Sequence, residues 1–264
     1  GDTLAAIAED KSHVITGEQK CVYFAEQKHE VQEVLIRRAE AMQVPYKIYG
    51  RDFQAENIRY TCSGMLFDVV IGDNIYPDLQ IPLLGEHQAK NCALALAVCM
   101  DVMADLCRES DTLYIFSEPM CNQICRQLSA IHHPGRMELL SSDPFVLLDA
   151  CIHSASCENV KDVLRHLGIQ NCTVIVGIPE DKDYVGVVRS MKDVAARIIL
   201  TRSGNPHYHF SQKQQEFLAQ EEIPSEWTDS VEQALTLAGS CPDPIVILGT
   251  TSVISEVERI FRQS

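Results

Sequence analysis

The sequence predicts an α/β fold built on a largely parallel sheet, and three observations favour it. The second half alternates short apolar runs, rich in β-branched residues, with segments of helical period. The first half holds a further strand–helix–strand unit. The chain has 264 residues, enough for two domains at roughly 150 residues each. Because strands that alternate with helices form right-handed βαβ units, we expect parallel strand pairing.

Four runs in the second half are typical of strands buried on both faces, because they are almost continuously apolar. They are PFVLLD at 144–149, TVIVGI at 173–178, RIILT at 197–201 and PIVILG at 244–249. The spacing of apolar residues around them predicts helices at 155–167, 183–194, 212–220, 231–237 and 253–261. These elements together predict one sheet domain.

The first half has less regular signals. Strands are predicted at 21–25 and 46–50, on either side of an amphipathic helix at 29–42. Three short strands with antiparallel or edge character follow at 58–60, 65–71 and 79–84, and then helices at 86–103 and 118–127. Pro134 and Gly135 interrupt the pattern, so we predict two domains, 1–131 and 134–264.

Composition excludes several classes of protein. The formal net charge is −15 with acid in both halves, so neither half predicts a basic surface for nucleic acid or membranes. The longest apolar run, 92–100, is well short of the ~20 residues that span a bilayer, and the start lacks a signal-peptide pattern. The eleven cysteines include no C-x-x-C pair, which argues against a disulfide framework or a zinc site and favours the reducing cytoplasm. Cys92, Cys99 and Cys172 are predicted to lie on apolar faces as small hydrophobic residues.

Neither common phosphate-binding motif, G-x-x-x-x-G-K-[ST] or G-x-G-x-x-G, occurs in the sequence. One polar strand-to-helix junction is GEHQAKNCA at 85–93, where His87, Gln88 and Asn91 occupy the predicted start of a helix. A helix N-terminus offers free N–H groups to an anionic or polar ligand. The alternative is that Gln88 and Asn91 only cap and solvate the helix.

A second candidate pair is Arg136 and Asp149, the latter at the end of a buried strand. Ligands of open α/β sheets bind at the carboxyl ends of strands, so Asp149 could accept a ribose hydroxyl and Arg136 could bind a phosphate. A structural Arg–Asp pair joining the domains would have the same sequence pattern.

A third junction is GIPEDKD at 177–183, with Lys182 and Asp183. Asp183 fits an N-cap equally well, and the neighbouring charges fit a solvated loop. His207 and His209 have the composition of metal ligands, but two histidines without a third ligand are more typical of a loop.

Motifs in the same order along the chain resemble the folylpolyglutamate and dihydrofolate synthases of the Mur ligase superfamily. The similar segments are 1–15 (family pattern GDT…IA…EKAGI), 27–53 (GxDF), 83–97 (L-x-G-x-H-Q-x-x-N-A), 133–136 (PGR), 176–183 (G-x-x-x-D-K-D) and 247–257 (G-S-x-x-x-x-x-E-V). The resemblance implies a C-terminal Rossmann-like domain with a parallel or mixed sheet, preceded by part of a Mur ligase central α/β domain. The family's N-terminal phosphate loop is missing from the sequence, and the match begins at Gly1, as expected if the chain is the rear part of a longer ligase.

The resemblance implies an ATP-dependent ligase that phosphorylates the γ-carboxylate of a folate and couples it to L-glutamate. ATP and Mg²⁺ would be the cofactors, and a folate-type substrate and glutamate the partners of a monomer. Lys11 matches the family lysine that is carbamylated and helps to hold the metal. Lys182 would lie near the incoming glutamate. The resemblance places His87, Gln88 and Asn91 along the nucleotide, Arg136 at the phosphates and Asp149 at the ribose.

Two departures from the family pattern keep other functions open. The family's D-G-A-H-N-P reads DACIHS at 149–154, so Ile152 stands at the histidine position and His153 at the asparagine position. After a shift of one residue, His153 could substitute for the family's histidine. The family's N-P-R reads NPH at 205–207, which removes a guanidinium. The alternatives are a scaffold or binding module that has lost catalysis, and a ligase for another acceptor. As the isolated chain, 1–264 is expected not to turn over.

Overall fold

The structure is a computed structural model that describes residues 2–61, 63–109, 118–221 and 225–263. It divides into two compact units. The first unit comprises Gly1–Arg59, Leu66–Gln80 and Glu86–Leu128, and the second comprises Tyr60–Met65, Ile81–Gly85 and Ser129–Ser264. Each unit is described below by itself.

The first unit begins with helix α1 (Leu4–Ser12), whose N-cap Thr3 accepts a hydrogen bond from the N–H of Ala6 at 3.1 Å. The strands β1 (Val22–Phe24) and β2 (Tyr46–Ile48) pair in parallel on either side of α2 (His29–Ala41). The predicted βαβ unit is therefore confirmed. Its small core consists of Ile15, Phe24, Ala39, Val44 and Ile48.

A three-stranded sheet follows in the order β3 (Phe53–Thr61), β4 (Gly64–Ile71) and β5 (Asn74–Ile81). The helices α3 (Glu86–Glu109) and α4 (Glu118–Ser129) come next along the chain. The expected strand at 79–84 was misplaced, because β5 begins at the polar Asn74 and ends at Ile81. Cys99 was also misassigned, since it is exposed on α3.

The second unit is built on a six-stranded mixed sheet, which confirms the expected sheet type but includes two edge strands that were not predicted from the sequence. Its strands are β6 (Glu138–Ser142), β7 (Phe145–Asp149), β8 (Cys172–Gly177), β9 (Ala195–Thr201), β10 (Ser225–Thr228) and β11 (Ile245–Gly249). Their order is β10-β9-β8-β11-β7-β6, and only β6 pairs antiparallel. The helices are α5 (Ser154–His166), α6 (Tyr184–Met191), α7 (Gln212–Gln220), α8 (Val231–Ala238) and α9 (Thr251–Gln263).

Helices cover both faces of this sheet. The helices α8 and α9 pack on one face, in a core with Leu148, Ile175 and Ile247. The helices α5 and α6 pack against each other, and their buried residues belong to the opposite face. Since β11 lies between β7 and β8, its helix α9 leaves the sheet on the face opposite to α5 and α6. In α/β proteins, ligands bind beside such a divergence, at the carboxyl ends of the strands.

No helix within the described ranges combines the length and the apolar character that a bilayer span requires. The cysteines described there are free thiols.

Candidate functional site

At the carboxyl edge of the second unit's sheet, Asp149 ends β7 beside the loop at residues 134–137. The N–H of Met137 donates to Oδ2 of Asp149 at 2.9 Å. In the reverse direction, the N–H of Ala150 donates to the carbonyl oxygen of Gly135 at 2.7 Å. These two bonds fix the 134–137 loop to the end of β7, so the structure brings Arg136 and Asp149 together.

The half-buried Asp149 carboxyl has an unusual electrostatic environment. Burial raises its pKa to about 6, although the hydrogen bond from Met137 and the charge of Arg136 act in the opposite direction. The exposed Arg136 guanidinium lies close enough to favour the carboxylate, but the two side chains form no ion pair. A direct structural Arg–Asp pair, the alternative from sequence, is therefore not formed. The arrangement leaves Arg136 open to solvent and to an anion.

Gly135 allows the 134–137 loop to approach α9. Its φ of +61° lies in the left-handed region, and a Cβ atom at this position would lie 2.6 Å from Cγ2 of Ile254. Gly249 at the end of β11 is equally confined, since a Cβ atom there would lie 2.8 Å from the carbonyl oxygen of Gly177. Both glycines therefore permit close backbone packing at the ligand-binding edge of the sheet.

The loops that follow β7 and β8 are joined by Asp183. Its Oδ1 accepts a hydrogen bond from the N–H of Gly186 at 3.0 Å, which caps α6. Its Oδ2 accepts from the N–H of Ser154 at 2.9 Å and from the Ser154 hydroxyl at 2.7 Å. These bonds, led by the one from the Ser154 backbone, hold the pKa of Asp183 below its usual range. The N-cap interpretation of Asp183 is confirmed.

Lys182 and His153 are exposed beside this junction. The Lys182 ammonium lies 3.2 Å from the Asp181 carboxylate. His153 occupies the N-cap position of α5 without a capping hydrogen bond from its side chain, and its neighbour Ile152 is half-buried. Both polar side chains are therefore accessible from solvent.

In the first unit, the predicted polar helix start is the first turn of α3, directly after Gly85. Gln88 is buried, and its Oε1 accepts a hydrogen bond from Nδ2 of the exposed Asn91 at 3.4 Å. His87 is half-buried. Asn91 thus has donors and an acceptor directed to solvent, while Gln88 positions it.

Lys11 lies in the last turn of α1 with three quarters of its side chain exposed. Its Nζ is 3.4 Å from the Asp10 carboxylate, which is itself exposed. Magnesium prefers near-octahedral oxygen ligation, usually with one or two carboxylates. Within the described part of the chain, no cluster of three His, Cys, Asp or Glu ligands includes this segment. The residues around Lys11 thus do not form a magnesium site by themselves.

Sequence reasoning missed a set of buried hydroxyl groups at the same edge of the second unit's sheet. The side chains of Thr201 and Ser203, at the end of β9, and of Thr250, after β11, are buried and have no hydrogen-bond partner among the described residues. The sequence feature that could have revealed these hydroxyl groups is the short polar segment at the end of each apolar strand, TRS at 201–203 and TT at 250–251. Buried polar groups are usually hydrogen-bonded, so these hydroxyls are available to a ligand or to water.

Several curated proteins that resemble this chain in sequence are folylpolyglutamate synthases or dihydrofolate synthase/folylpolyglutamate synthases. The chain is 25% identical over 217 residues to a folylpolyglutamate synthase of Lacticaseibacillus casei, covering 80% of this chain and 47% of that protein. It is 26% identical over 215 residues to a dihydrofolate synthase/folylpolyglutamate synthase of Mycobacterium tuberculosis, covering 78% and 42%. The chain therefore spans about half the length of the curated relatives it matches. No family model matches it.

The fold of this chain is similar to that of solved folylpolyglutamate synthase structures. A Mycobacterium tuberculosis folylpolyglutamate synthase complexed with ADP and AMPPCP superimposes with a TM-score of 0.82 at 21% identity, over 99% of this chain and 60% of that one. A Thermotoga maritima folylpolyglutamate synthase gives a TM-score of 0.77 at 20% identity, over 98% and 58%. A UDP-N-acetylmuramate–L-alanine ligase of Ligilactobacillus salivarius is 41% identical over 59 residues, 21% of this chain.

Proposed function

We propose that this chain, whose homologues and structural neighbours are folylpolyglutamate synthases of the Mur ligase superfamily, is part of an ATP-dependent ligase that adds L-glutamate to a folate-type carboxylate. In this proposal, residues 134–264 are the family's C-terminal domain and residues 1–131 are part of the central ATPase domain. The observation that carries the nucleotide role is the pairing of the 134–137 loop with Asp149 at the carboxyl edge of the sheet.

Each candidate residue has a chemical role in this proposal. The ionised Asp149 accepts hydrogen bonds from ribose hydroxyls, and the open guanidinium of Arg136 pairs with phosphate oxygens. In the first unit, His87, Gln88 and Asn91 contact the nucleotide, and Asn91 lies at the adenine.

Two more side chains are assigned to the second unit. Lys182 has an exposed ammonium that can receive a carboxylate of the incoming glutamate, in competition with Asp181. His153 is the candidate for the function of the family's histidine, because Ile152 has no polar group.

The reaction requires activation of a poor electrophile. An oxygen of the folate carboxylate attacks the γ-phosphorus of ATP, which releases ADP and forms an acyl phosphate. The amino nitrogen of glutamate then attacks the acyl carbon, phosphate leaves with the electron pair of the C–O bond, and the ammonium proton goes to solvent or a base. Mg²⁺ supplies charge neutralisation to the phosphates when it is bound. Lys11, carbamylated, remains the proposed lysine ligand of that ion, and we assign no step to it.

Nucleotide binding tests the proposal at Asp149. We expect isothermal titration calorimetry to detect ADP binding to the chain, and Asp149→Asn to weaken it about tenfold through loss of charge-assisted hydrogen bonds to the ribose. The matched control is Asp162→Asn, on the exposed surface of α5, where the carboxylate pairs with Arg165. Equal ADP affinity in all three proteins would refute the role of Asp149.

Turnover tests whether the isolated chain is active by itself. The 264 residues contain no phosphate loop of the G-x-x-x-x-G-K-[ST] type, so we expect the isolated chain to release no ADP from ATP with folate, glutamate and Mg²⁺. Turnover by the isolated chain would contradict this expectation.

The altered DACIHS segment favours one alternative, a binding module that has lost catalysis. That module would bind no adenine nucleotide in the calorimetric titration.

A further inference from the structure

Three potential metal ligands from separate segments of the second unit converge beside the 134–137 loop. They are His132, which precedes the loop, Glu138, which begins β6, and Glu258 in the middle of α9. One ligand atom from each residue lies within 4.8 Å of the others. The cluster joins an imidazole to two carboxylates, and neither the proposed nucleotide role nor the proposed ligase chemistry uses it.

The spacing suits a small divalent cation. Nδ1 of His132 lies 3.4 Å from Oε1 of Glu138, and Nε2 of His132 lies 3.4 Å from Oε1 of Glu258. In a tetrahedral zinc site with bonds of about 2.0–2.1 Å, neighbouring ligand atoms are separated by roughly 3.3 Å. The His132 ring presents Nδ1 to Glu138 and Nε2 to Glu258, and only one imidazole nitrogen can bind the ion, so metal binding requires the half-exposed ring to reorient.

The two carboxylates differ in their hydrogen bonds, and both environments favour such an ion. The N–H of Gly135 donates to Oε2 of Glu138 at 2.8 Å, which orients the group and directs Oε1 to His132. Outer hydrogen bonds of this kind commonly orient metal ligands. Oε1 of Glu258 is buried and has no hydrogen-bond partner among the described residues, although its side chain is 14% exposed. A buried carboxylate oxygen without a donor is costly unless a cation satisfies it.

The local charge also favours a divalent cation. Among the described residues, the two largely buried carboxylates have one ion pair with a permanently charged side chain, that of Glu258 with Arg262. Its Nη2 lies 3.6 Å from Oε2 of Glu258 and 3.3 Å from Nε2 of His132, but the Arg262 side chain is about two-thirds exposed. Arg262 can therefore turn into solvent, and an ion of charge +2 would neutralise both carboxylates.

We propose that His132, Glu138 and Glu258 form a binding site for a divalent transition metal, with Zn²⁺ the ion that this ligand set fits best. Imidazole selects Zn²⁺, Co²⁺ or Ni²⁺ over Mg²⁺ and Ca²⁺, which prefer oxygen ligands alone. A water molecule takes the fourth position. The ion ties α9 to the segment that leads into the 134–137 loop.

Metal titration of three variants tests the site. Calorimetry with Zn²⁺, on metal-stripped protein in a phosphine reductant, is expected to show one equivalent that is lost or weakened at least about tenfold in His132→Ala and Glu258→Gln. His133→Ala is the matched control, because this adjacent histidine lies outside the cluster and should keep that equivalent. Circular dichroism before the titration checks that each variant is folded.

Thermal unfolding and Co²⁺ spectra give independent readouts. Zn²⁺ should raise the unfolding midpoint of the unmodified chain and of His133→Ala, but not of His132→Ala or Glu258→Gln. Bound Co²⁺ should give the visible absorption of four-coordinate cobalt in the same two proteins. The proposal is overturned if Zn²⁺ does not bind, or if it binds and stabilises all four proteins equally, as cysteine or other histidine ligands would allow.

Discussion

At the scale of single residues, Asp149 and Asp183 show how position changes the chemistry of one residue type. Both are carboxyl groups that follow a buried strand, and both border the loops at the carboxyl edge of the second unit's sheet. Burial raises the pKa of Asp149 to about 6, whereas hydrogen bonds from Ser154 lower that of Asp183. Asp149 is thus suited to bind a ligand, and Asp183 is suited to hold the backbone.

The raised pKa of Asp149 predicts a pH-dependent contribution to stability. The folded state binds the proton more tightly than the unfolded state, whose pKa is 3.8, so the protonated group stabilises the fold below pH 3.8. This contribution is lost as pH rises from 3.8 to about 6. In urea unfolding between pH 3.5 and 7, we expect the stability of the unmodified chain relative to Asp149→Asn to fall by about 3 kcal/mol. A difference that is constant across this pH range would contradict the prediction.

Close packing at Gly135 predicts a large effect of one methyl group. Gly135→Ala places Cβ 2.6 Å from Ile254 Cγ2 at a φ of +61°, so we expect a loss of about 2–4 kcal/mol of unfolding free energy. Gly168→Ala is the control, because its φ is +73° but no atom lies within 4 Å of the added Cβ, and it should lose only about 1 kcal/mol. Chemical denaturation measures both, and equal losses would disprove the packing argument.

At the scale of elements, α5 and α6 share one anchor. Asp183 caps α6, its own helix, and also satisfies the first N–H of α5, so the start of α5 depends on a residue from outside that helix. His153 supplies no capping bond to α5, which leaves Asp183 as the acceptor for Ser154.

Removal of this anchor should destabilise both helix starts. Asp183→Ala deletes the cap and leaves the Ser154 N–H without its acceptor, so we expect a loss of about 2–3 kcal/mol in urea unfolding. Asp181→Ala removes only an exposed ion pair with Lys182 and should change stability by less than about 0.5 kcal/mol. The shared-anchor interpretation fails if the two substitutions have similar effects.

At the scale of the whole molecule, the formal net charge of −15 and the pI near 4.9 determine the response to salt. Like charges across an acidic surface repel one another and destabilise the compact state, and added salt screens this repulsion. We expect the thermal unfolding midpoint at pH 7.5 to rise by a few degrees between 10 mM and 500 mM NaCl, because a small gain in the free energy of unfolding shifts the midpoint by that amount. At pH 5.5, where the net charge is smaller, differential scanning fluorimetry should show a smaller rise. A fall in the midpoint at pH 7.5 would show that attractive ion pairs dominate.

The sequence by itself determined the buried parallel strands and the helices between them. A strand covered on both faces must be apolar throughout, so β7, β8, β9 and β11 are visible as continuous runs. The edge strands β6 and β10 are not visible in this way, because ELLSS and SEWT contact water and have no periodic apolar signal. The motifs at Arg136, Asp149 and Asp183 were also recognisable, since residue type and place after a strand are local properties.

Only the tertiary structure decided how these residues behave. It assigned Asp183 to backbone anchoring, gave Asp149 its raised pKa, and exposed Lys182 and His153. It also brought Glu258 to His132 and Glu138 from more than a hundred residues away in sequence. Burial, desolvation and proximity across the fold are set by the packing of distant elements, and so a single sequence does not contain them in readable form.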